Sequence, residues 1–343
     1  MKVAIITDTH FNFKKGNQIF HDYFEKFYSK VFFPTLEKLG IDTVIHLGDI
    51  FDNRRATDYW SIDWTKRVIL EPLKKYKVHL ALGNHDIFYK NTNRLNSPEL
   101  LIGNYSNIKI YSDPTTVNIG GKDVLFIPWI STDSESKTIS AVQSTSANIA
   151  MGHLELNGFY AHRGHVQEGG RDKTIFDKFD KVFSGHYHTR SDDGKIYYLG
   201  NPYQLYWNDY GDTRGFTIWD TDTGKITPVN NPYEMFKICN YDEDSIEEDL
   251  TPYSGCIVKL IVKNKKSQKK FDEFLDLLIK SQPYELKIIE SVKVNDDFDA
   301  DEMVQQEDTL SLLKRYVDES EIKLNKTRIK KLIQSIYQES FQM

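Results

Sequence analysis

The sequence predicts an α/β fold: a layered, sandwich-like core of two mixed sheets flanked by helices, then a small α+β domain and C-terminal helices. Three observations predict it. From Lys2 to Leu82, short apolar runs alternate with longer amphipathic ones, the βαβαβ rhythm of parallel strands joined by crossover helices. After Ser97 the apolar runs shorten and hairpin-like turns appear between them. Polar motifs, most of them carrying histidine, stand where the apolar runs end, which is where ligands of open α/β sheets bind.

Lys2–Thr7 reads as a buried strand. A helix is predicted over Asn17–Leu39, with Phe20, Phe24, Phe27 and Val31 at helical spacing and Gly40 ending it. Asp42–Leu47 is a second strand, Tyr59–Lys75 a second helix and Lys77–Leu82 a third strand. Shorter strands follow at Ile108–Tyr111, Thr115–Ile119, Asp123–Pro128, Asn148–Met151 and Lys181–Ser184. Asp193-Gly194 leads into Lys195–Leu199, and Asp222-Thr223-Gly224 separates Gly215–Asp220 from Lys225–Val229. This second part predicts a more antiparallel sheet. Asn230-Asn231-Pro232 marks a boundary, so residues 1–231 form one expected domain. Residues 232–294 form a small α+β domain, with an acidic patch at Asp242–Asp249, strands at Cys256–Val262 and Leu286–Val292, and a helix at Ser267–Ile279. Residues 295–343 comprise an acidic linker and two amphipathic helices, roughly 305–317 and 326–338.

The chemistry lies in five motifs: Asp8-Thr9-His10, Gly48-Asp49-Ile50-Phe51-Asp52, Gly83-Asn84-His85-Asp86, Gly152-His153 and Gly185-His186-Tyr187-His188. Divalent ions such as Mn²⁺ accept mixed oxygen and imidazole ligands. Two ions roughly 3.5–4 Å apart can clamp both oxygens of an in-line displacement at phosphorus. Such a site needs a bridging carboxylate and further ligands for each ion. Asp8, His10, Asp49, Asn84, His153, His186 and His188 supply that inventory. In an extended segment, residues two apart point the same way, so Asp8 with His10, and His186 with His188, can each reach one centre.

The remaining composition narrows the reading. With 39% hydrophobic and 27% charged residues, this is an ordinary globular composition. No apolar run approaches the roughly 18 residues of a membrane span, and the run before Asp8 is too short for a secretion signal. The expected location is therefore cytoplasmic, or the host cytoplasm if the chain is phage-encoded. Net charge is −6; residues 1–231 hold 27 basic and 27 acidic side chains, so the excess lies in residues 232–343, with 17 basic and 23 acidic. All ten histidines lie between His10 and His188, five of them in the motifs. Cys239 and Cys256 have no metal-binding spacing and are expected to be buried, reduced thiols.

The order Asp-x-His, Gly-Asp-x-x-Asp, Gly-Asn-His-Asp, Gly-His, Gly-His-x-His resembles the calcineurin-like metallophosphoesterase superfamily. The resemblance implies that Asp49 bridges two metals, that Asp8, His10 and His188 hold one, and that Asn84, His153 and His186 hold the other. It implies that His85 protonates the leaving oxygen and that Asp52 orients His85, a pairing that would raise the imidazole's pKa. The whole layout is similar to the nuclease subunit of the SbcCD-type complexes that process DNA double-strand breaks, most of all to the phage recombination exonuclease subunits. That implies Mn²⁺-dependent exonuclease and endonuclease activity on DNA ends in repair and recombination. It also implies a DNA-contacting cap, a C-terminal segment that docks on an ABC-type coiled-coil ATPase, and possible homodimerisation. Some members carry histidine at position 52; this chain carries Asp, which leaves the balance of exonuclease and endonuclease action open.

Two other readings share the motifs. A phosphatase or small-molecule phosphodiesterase would use the same centre, but protein phosphatases of this superfamily show Arg-Gly directly after the second Asp, where this chain has Asn53-Arg54-Arg55. A non-catalytic scaffold would have no need of the whole ligand set. Arg54 and Arg55 could clamp a substrate phosphate or simply be solvated. Tyr203, Tyr206, Trp207 and Tyr210 could stack on bases, though core packing or a domain contact fits them better. The lysines from Lys263 to Lys270 suit a solvated turn or a phosphate-tracking patch. His46 and His79 read as satisfied strand residues, and His21 as a helix-surface residue. His162 and His165 fall in a glycine-rich loop that could touch substrate.

Overall fold

The computed structural model describes residues 1–290 and, beyond them, residues 317, 326, 328–330, 332 and 333. Met1–Ile289 form one compact unit and Glu290–Met343 a second. The acidic linker, nearly all of the helix expected over 305–317 and the docking of either terminal helix on a partner lie outside the described residues. Within the stretch expected as the last helix, residues 326, 328–330, 332 and 333 are helical.

Two six-stranded sheets build the core of the first unit. In the first, β1 (Lys2–Ile6), β2 (Thr43–His46), β3 (Lys77–Ala81) and β4 (Ile108–Tyr111) run parallel, as the βαβαβ rhythm predicts. Antiparallel strands β13 (Gly215–Asp220) and β14 (Ile226–Asn230) extend the sheet beyond β1. The second sheet contains β5 (Thr115–Ile119), β6 (Lys122–Ile127), β7 (Ile149–His153), β10 (Lys181–Gly185), β11 (Ser191–Asp192) and β12 (Ile196–Tyr198). It is not the more antiparallel sheet expected. Its central pairs β6–β7, β7–β10 and β10–β12 are parallel, and only the outer pairs are antiparallel. The long connections before β7 and β10 make this possible: one carries a helix, Glu135–Ser144, and the other a short hairpin, β8 (Tyr160–His162) with β9 (His165–Val166).

The sheets pack face to face. Val3, Ile5, Ile45, Leu47 and Trp219 on the first sheet's side meet Phe126, Met151 and Phe183 of the second in one buried cluster. A second cluster lies on the outer side of the first sheet, under the helix Gln18–Phe27. That helix starts at Asn17, whose side chain accepts the Ile19 N–H at 3.1 Å. It buries Phe20, Phe24 and Phe27, widens to π-type winding over Tyr28–Phe32 and continues through Phe33–Leu39. Gly40 closes it in the left-handed conformation, φ 62°. Each buried phenylalanine contributes about 1.5–3 kcal/mol by leaving water. His21 is buried, not on the surface as expected. Its ring sits edge-on to Trp60 and Trp64, and Nε2 accepts the Asn12 N–H at 3.2 Å.

The α+β part expected from residue 232 lies within the first unit. β15 (Phe236–Asp242) and β16 (Ile257–Asn264) pair in parallel, and β17 (Glu285–Glu290) completes a three-stranded sheet. The helix Gln268–Lys280 buries Phe271, Phe274 and Leu278 against Cys239, Tyr241, Val258 and Leu260. Both cysteines are free and buried. The lysine run and the acidic patch partner each other: Lys266 binds Asp244 at 2.6 Å and Lys270 binds Glu243 at 3.2 Å.

Candidate metal centre

All five motifs sit at carboxyl ends of parallel strands. β1, β2 and β3 lead into the first three, β7 ends on His153 and β10 on Gly185. Parallel register sets His153 beside Gly185. The first two loops are stitched together by main-chain bonds: Asp8 N–H to Gly48 O at 3.0 Å, His10 N–H to Asp49 O at 3.1 Å and Phe11 N–H to Ile50 O at 2.9 Å. Of the eight described non-glycine residues with left-handed φ, four are candidate ligands: Asp8, His10, Asp49 and His186. Backbone of this kind costs energy and persists where surrounding bonds over-determine it. Gly83 lies so close to the Asp49 carboxylate that a Cβ there would collide with it. A Cβ on Gly185 would likewise collide with the Thr7 hydroxyl and would crowd the Asp8 carboxylate.

The side chains converge as the motif order implies. Ligand atoms of Asp8, His10 and His188 lie within 4.8 Å of one another, as do those of Asp8, Asp49 and His153. His10 Nε2 and His188 Nε2 are 3.1 Å apart. Asn84 Oδ1 lies 2.9 Å from both His153 Nε2 and His186 Nδ1. Asp49 Oδ2 stands between the two groups, 3.4 Å from His153 Nε2 and 3.9 Å from His10 Nε2. All seven candidate ligands are thus within one centre, grouped on either side of Asp49.

The donor chemistry fits divalent cations. His153 donates from Nδ1 to the Leu47 carbonyl at 2.8 Å, which directs Nε2 at the oxygens of Asp49 and Asn84. The electrostatics agree. Burial alone would raise Asp49, but His153, His85 and His10 hold it well below the usual carboxylate range. Burial alone would lower His10 and His153. The carboxylates outweigh it, Asp52, Asp49 and Asp8 for His10 and Asp49 and Asp8 for His153, and raise both to about 9. The centre therefore favours positive charge at two places flanking Asp49. Burial lowers His186 to about 3 and also holds His188 well below the usual imidazole range, leaving their rings neutral as ligands must be.

Asp52 does not act as expected. His85 Nδ1 donates to the main-chain carbonyl of Asp52 at 2.5 Å, so the orienting atom is not the carboxylate. The Asp52 carboxylate turns to His10 instead, with Oδ1 3.2 Å from Nδ1, off the angle of a good hydrogen bond. The cause is the pairing of the loop with the first motif: Asp52 N–H bonds Phe11 O at 2.8 Å, and its side chain falls on the His10 side. The His85 pKa is accordingly lowered, not raised, because burial outweighs the neighbouring Asp49.

Asp86 had no role in the sequence reading beyond closing its motif. It is fully buried, and its carboxylate accepts the N–H groups of Gly83 at 2.7 Å, Asp49 at 2.8 Å and Ile50 at 3.0 Å. The only signal for it was its place in the motif. Of the arginines, Arg54 is half-buried with Nη1 shielded from solvent and lacking a hydrogen-bond partner, whereas Arg55 is exposed. His46 is a satisfied core residue: Nδ1 accepts the Gly48 N–H at 3.2 Å and Nε2 faces Thr9 Oγ1 at 3.0 Å. His79 stacks on Tyr111 and Phe126. His162 and His165 stack on each other in the β8–β9 hairpin and are not among the clustered ligands. Tyr203 is core, stacked on Phe24 at 3.9 Å, and Trp207 is a contact between the parts of the unit, against Phe236 and Lys259. Among the described residues no helix is long and apolar enough to cross a membrane.

Among solved structures the chain is similar to an archaeal phosphodiesterase, with 12% identity over 67% of this chain and 100% of that one, TM-score 0.35. It is also similar to the purple acid phosphatase PPD1 of yellow lupin, with 16% identity over 55% of this chain and 38% of that one, TM-score 0.34. Among characterised proteins it is 29% identical, over 285 residues and 82% of each chain, to a protein of Enterobacteria phage T4 described as "Exonuclease subunit 1". The family model for calcineurin-like phosphoesterase matches residues 1–190, more than half of the chain and the whole run of motifs. The chain belongs to the calcineurin-like phosphoesterase family.

Proposed function

We propose that this chain is a two-metal nuclease that hydrolyses phosphodiesters at DNA ends. In this reading it uses Mn²⁺ and serves as the nuclease subunit of an ATPase–nuclease complex in recombination and double-strand-break repair, in the host cytoplasm. The observation that carries the reading is the similarity to the phage T4 protein named as an exonuclease subunit. It runs over 285 residues, longer than the 190 matched by the family, and so includes sequence that a generic phosphoesterase need not share. The ATPase contact is assigned to residues 295–343.

Asp8, His10 and His188 would hold one cation, Asn84, His153 and His186 the other, with Asp49 shared between them. The two cations would neutralise charge at phosphorus and lower the pKa of the attacking water. His85, held by the Asp52 carbonyl through Nδ1, keeps Nε2 as the ring atom that can take a proton and give it to the departing oxygen. Asp52 supports His10 as an outer carboxylate partner. Arg54, with a shielded and unpaired Nη1, is suited to fork onto a non-bridging phosphate oxygen, and Arg55 offers a second, exposed cation beside it.

The test is purified protein with Mn²⁺ on linear duplex DNA, with and without ATP and the ATPase subunit. Degradation of the DNA is expected. Turnover of a phosphoprotein with no action on DNA would overturn the reading in favour of a phosphatase.

A further inference from the structure

A chain of buried polar groups links the start of the small sheet to the metal centre. Gln204 is 2% exposed, and its Oε1 accepts the N–H groups of Met235 and Phe236, both at 2.9 Å, where the chain enters β15. Its Nε2 donates to the Asp209 carbonyl at 3.3 Å. The Asp209 carboxylate accepts the Leu205 N–H at 2.7 Å and the Tyr206 N–H at 3.0 Å, and takes Arg214 Nη2 at 2.9 Å. Arg214 Nη1 then donates to the carbonyl of His188, a candidate metal ligand. Gln204, Asp209 and Arg214 are all nearly inaccessible to water. Each therefore depends on its neighbours for its hydrogen bonds, and a buried network of this kind makes the groups it joins rigid.

We propose that Gln204, Asp209 and Arg214 are positioning residues that make the geometry of His188, and hence cation affinity, depend on the seating of the small sheet. The inference rests on the reading of the centre as a cation site. Removing the Gln204 acceptor leaves the buried N–H groups of Met235 and Phe236, at the entry to β15, unsatisfied and frees the Asp209 carbonyl, so the disturbance travels towards Arg214. Groups that orient metal ligands typically alter affinity about 10- to 100-fold when removed. A second contact between the same parts uses none of these hydrogen bonds: Lys259 of β16 lies over the Trp207 ring at 4.0 Å.

The test is Mn²⁺ affinity of the full chain, read from the electron paramagnetic resonance signal of free Mn²⁺, which needs no turnover. Gln204→Leu is expected to weaken binding about tenfold, and Lys259→Met to leave it within about twofold. Tyr23→Phe is a milder second variant, because the Tyr23 hydroxyl accepts the Gln204 N–H at 3.2 Å and donates to Tyr233 O at 3.0 Å. It should shift affinity in the same direction, and it decides the matter if Gln204→Leu does not fold. Equal shifts in the Gln204 and Lys259 variants, or no shift in either the Gln204 or the Tyr23 variant, would overturn the proposal. Absence of Mn²⁺ binding by the wild type would instead overturn the metal reading itself.

Discussion

Replacing Asp86 by alanine should damage the centre through the main chain alone. The carboxylate is fully buried and accepts three N–H groups, from Gly83, Asp49 and Ile50. Alanine leaves all three without an acceptor. A buried donor stripped of its partner costs about 1–3 kcal/mol, so three cost about 3–9 kcal/mol. Partial relaxation and water entering the hole favour the lower half, about 3–5 kcal/mol, a large share of the roughly 5–15 kcal/mol that typically holds a domain folded. Asp86→Asn should lose about half as much, because its amide oxygen can keep the two bonds made by Oδ2 while its NH₂ faces the Ile50 N–H. Burial, with the Asp49 charge, pushes the Asp86 carboxyl up to about 7 despite its N–H donors, so the comparison belongs at pH 8, where the wild-type group is ionised. Urea denaturation reads the losses as shifts in midpoint at constant slope. A loss below about 1 kcal/mol for alanine, or an asparagine variant as damaged as alanine, would refute the reasoning.

Three further outcomes are expected. His85→Ala should lower kcat by about 10²- to 10⁴-fold while DNA binding, measured by fluorescence anisotropy, is retained; a rate within threefold of wild type would remove His85 from the proton transfer. Gly185→Ala should weaken Mn²⁺ binding, measured calorimetrically, because the added methyl must displace Thr7 and the Asp8 carboxylate; unchanged affinity would show that the close approach is not required. His46 should make the fold acid-sensitive. Burial lowers its pKa to about 3, whereas the unfolded chain titrates at 6.5, so its contribution is complete above 6.5 and is lost progressively as pH falls towards 3. Between pH 7 and 5 the wild type should lose about 2 kcal/mol more than His46→Gln, and equal losses would argue against a neutral buried imidazole.

The parts of the fold that follow from local patterning were legible in the sequence. The helix Gln18–Phe27 and its continuation to Leu39 follow the phenylalanine spacing and Gly40, and the five motif loops follow strand ends. What stayed hidden depends on partners distant in sequence. The parallel centre of the second sheet comes from pairing β7 with β10 across the hairpin, which no local period reports. β15 was missed because Phe236–Asp242 alternates only partly and runs into an acidic patch. His21 lies on a helix flank that reads as polar until Trp60 and Trp64 from the next helix cover it. At the site, residue identity was readable but direction was not. Asp8, His10, Asp49 and His186 take left-handed backbone angles, and the Asp52 loop pairs with Phe11. Those two facts send the Asp52 carboxylate to His10 and its carbonyl to His85, where the family resemblance implied that Asp52 orients His85 in a pairing that raises its pKa.

Anomalous diffraction from crystals of the full chain soaked in Mn²⁺ tests most directly whether these loops form a two-cation centre. The expected map holds two peaks sharing Asp49, one among Asp8, His10 and His188 and one among Asn84, His153 and His186. A single peak, or none within ligand distance of Asp49 at saturating Mn²⁺, would contradict it.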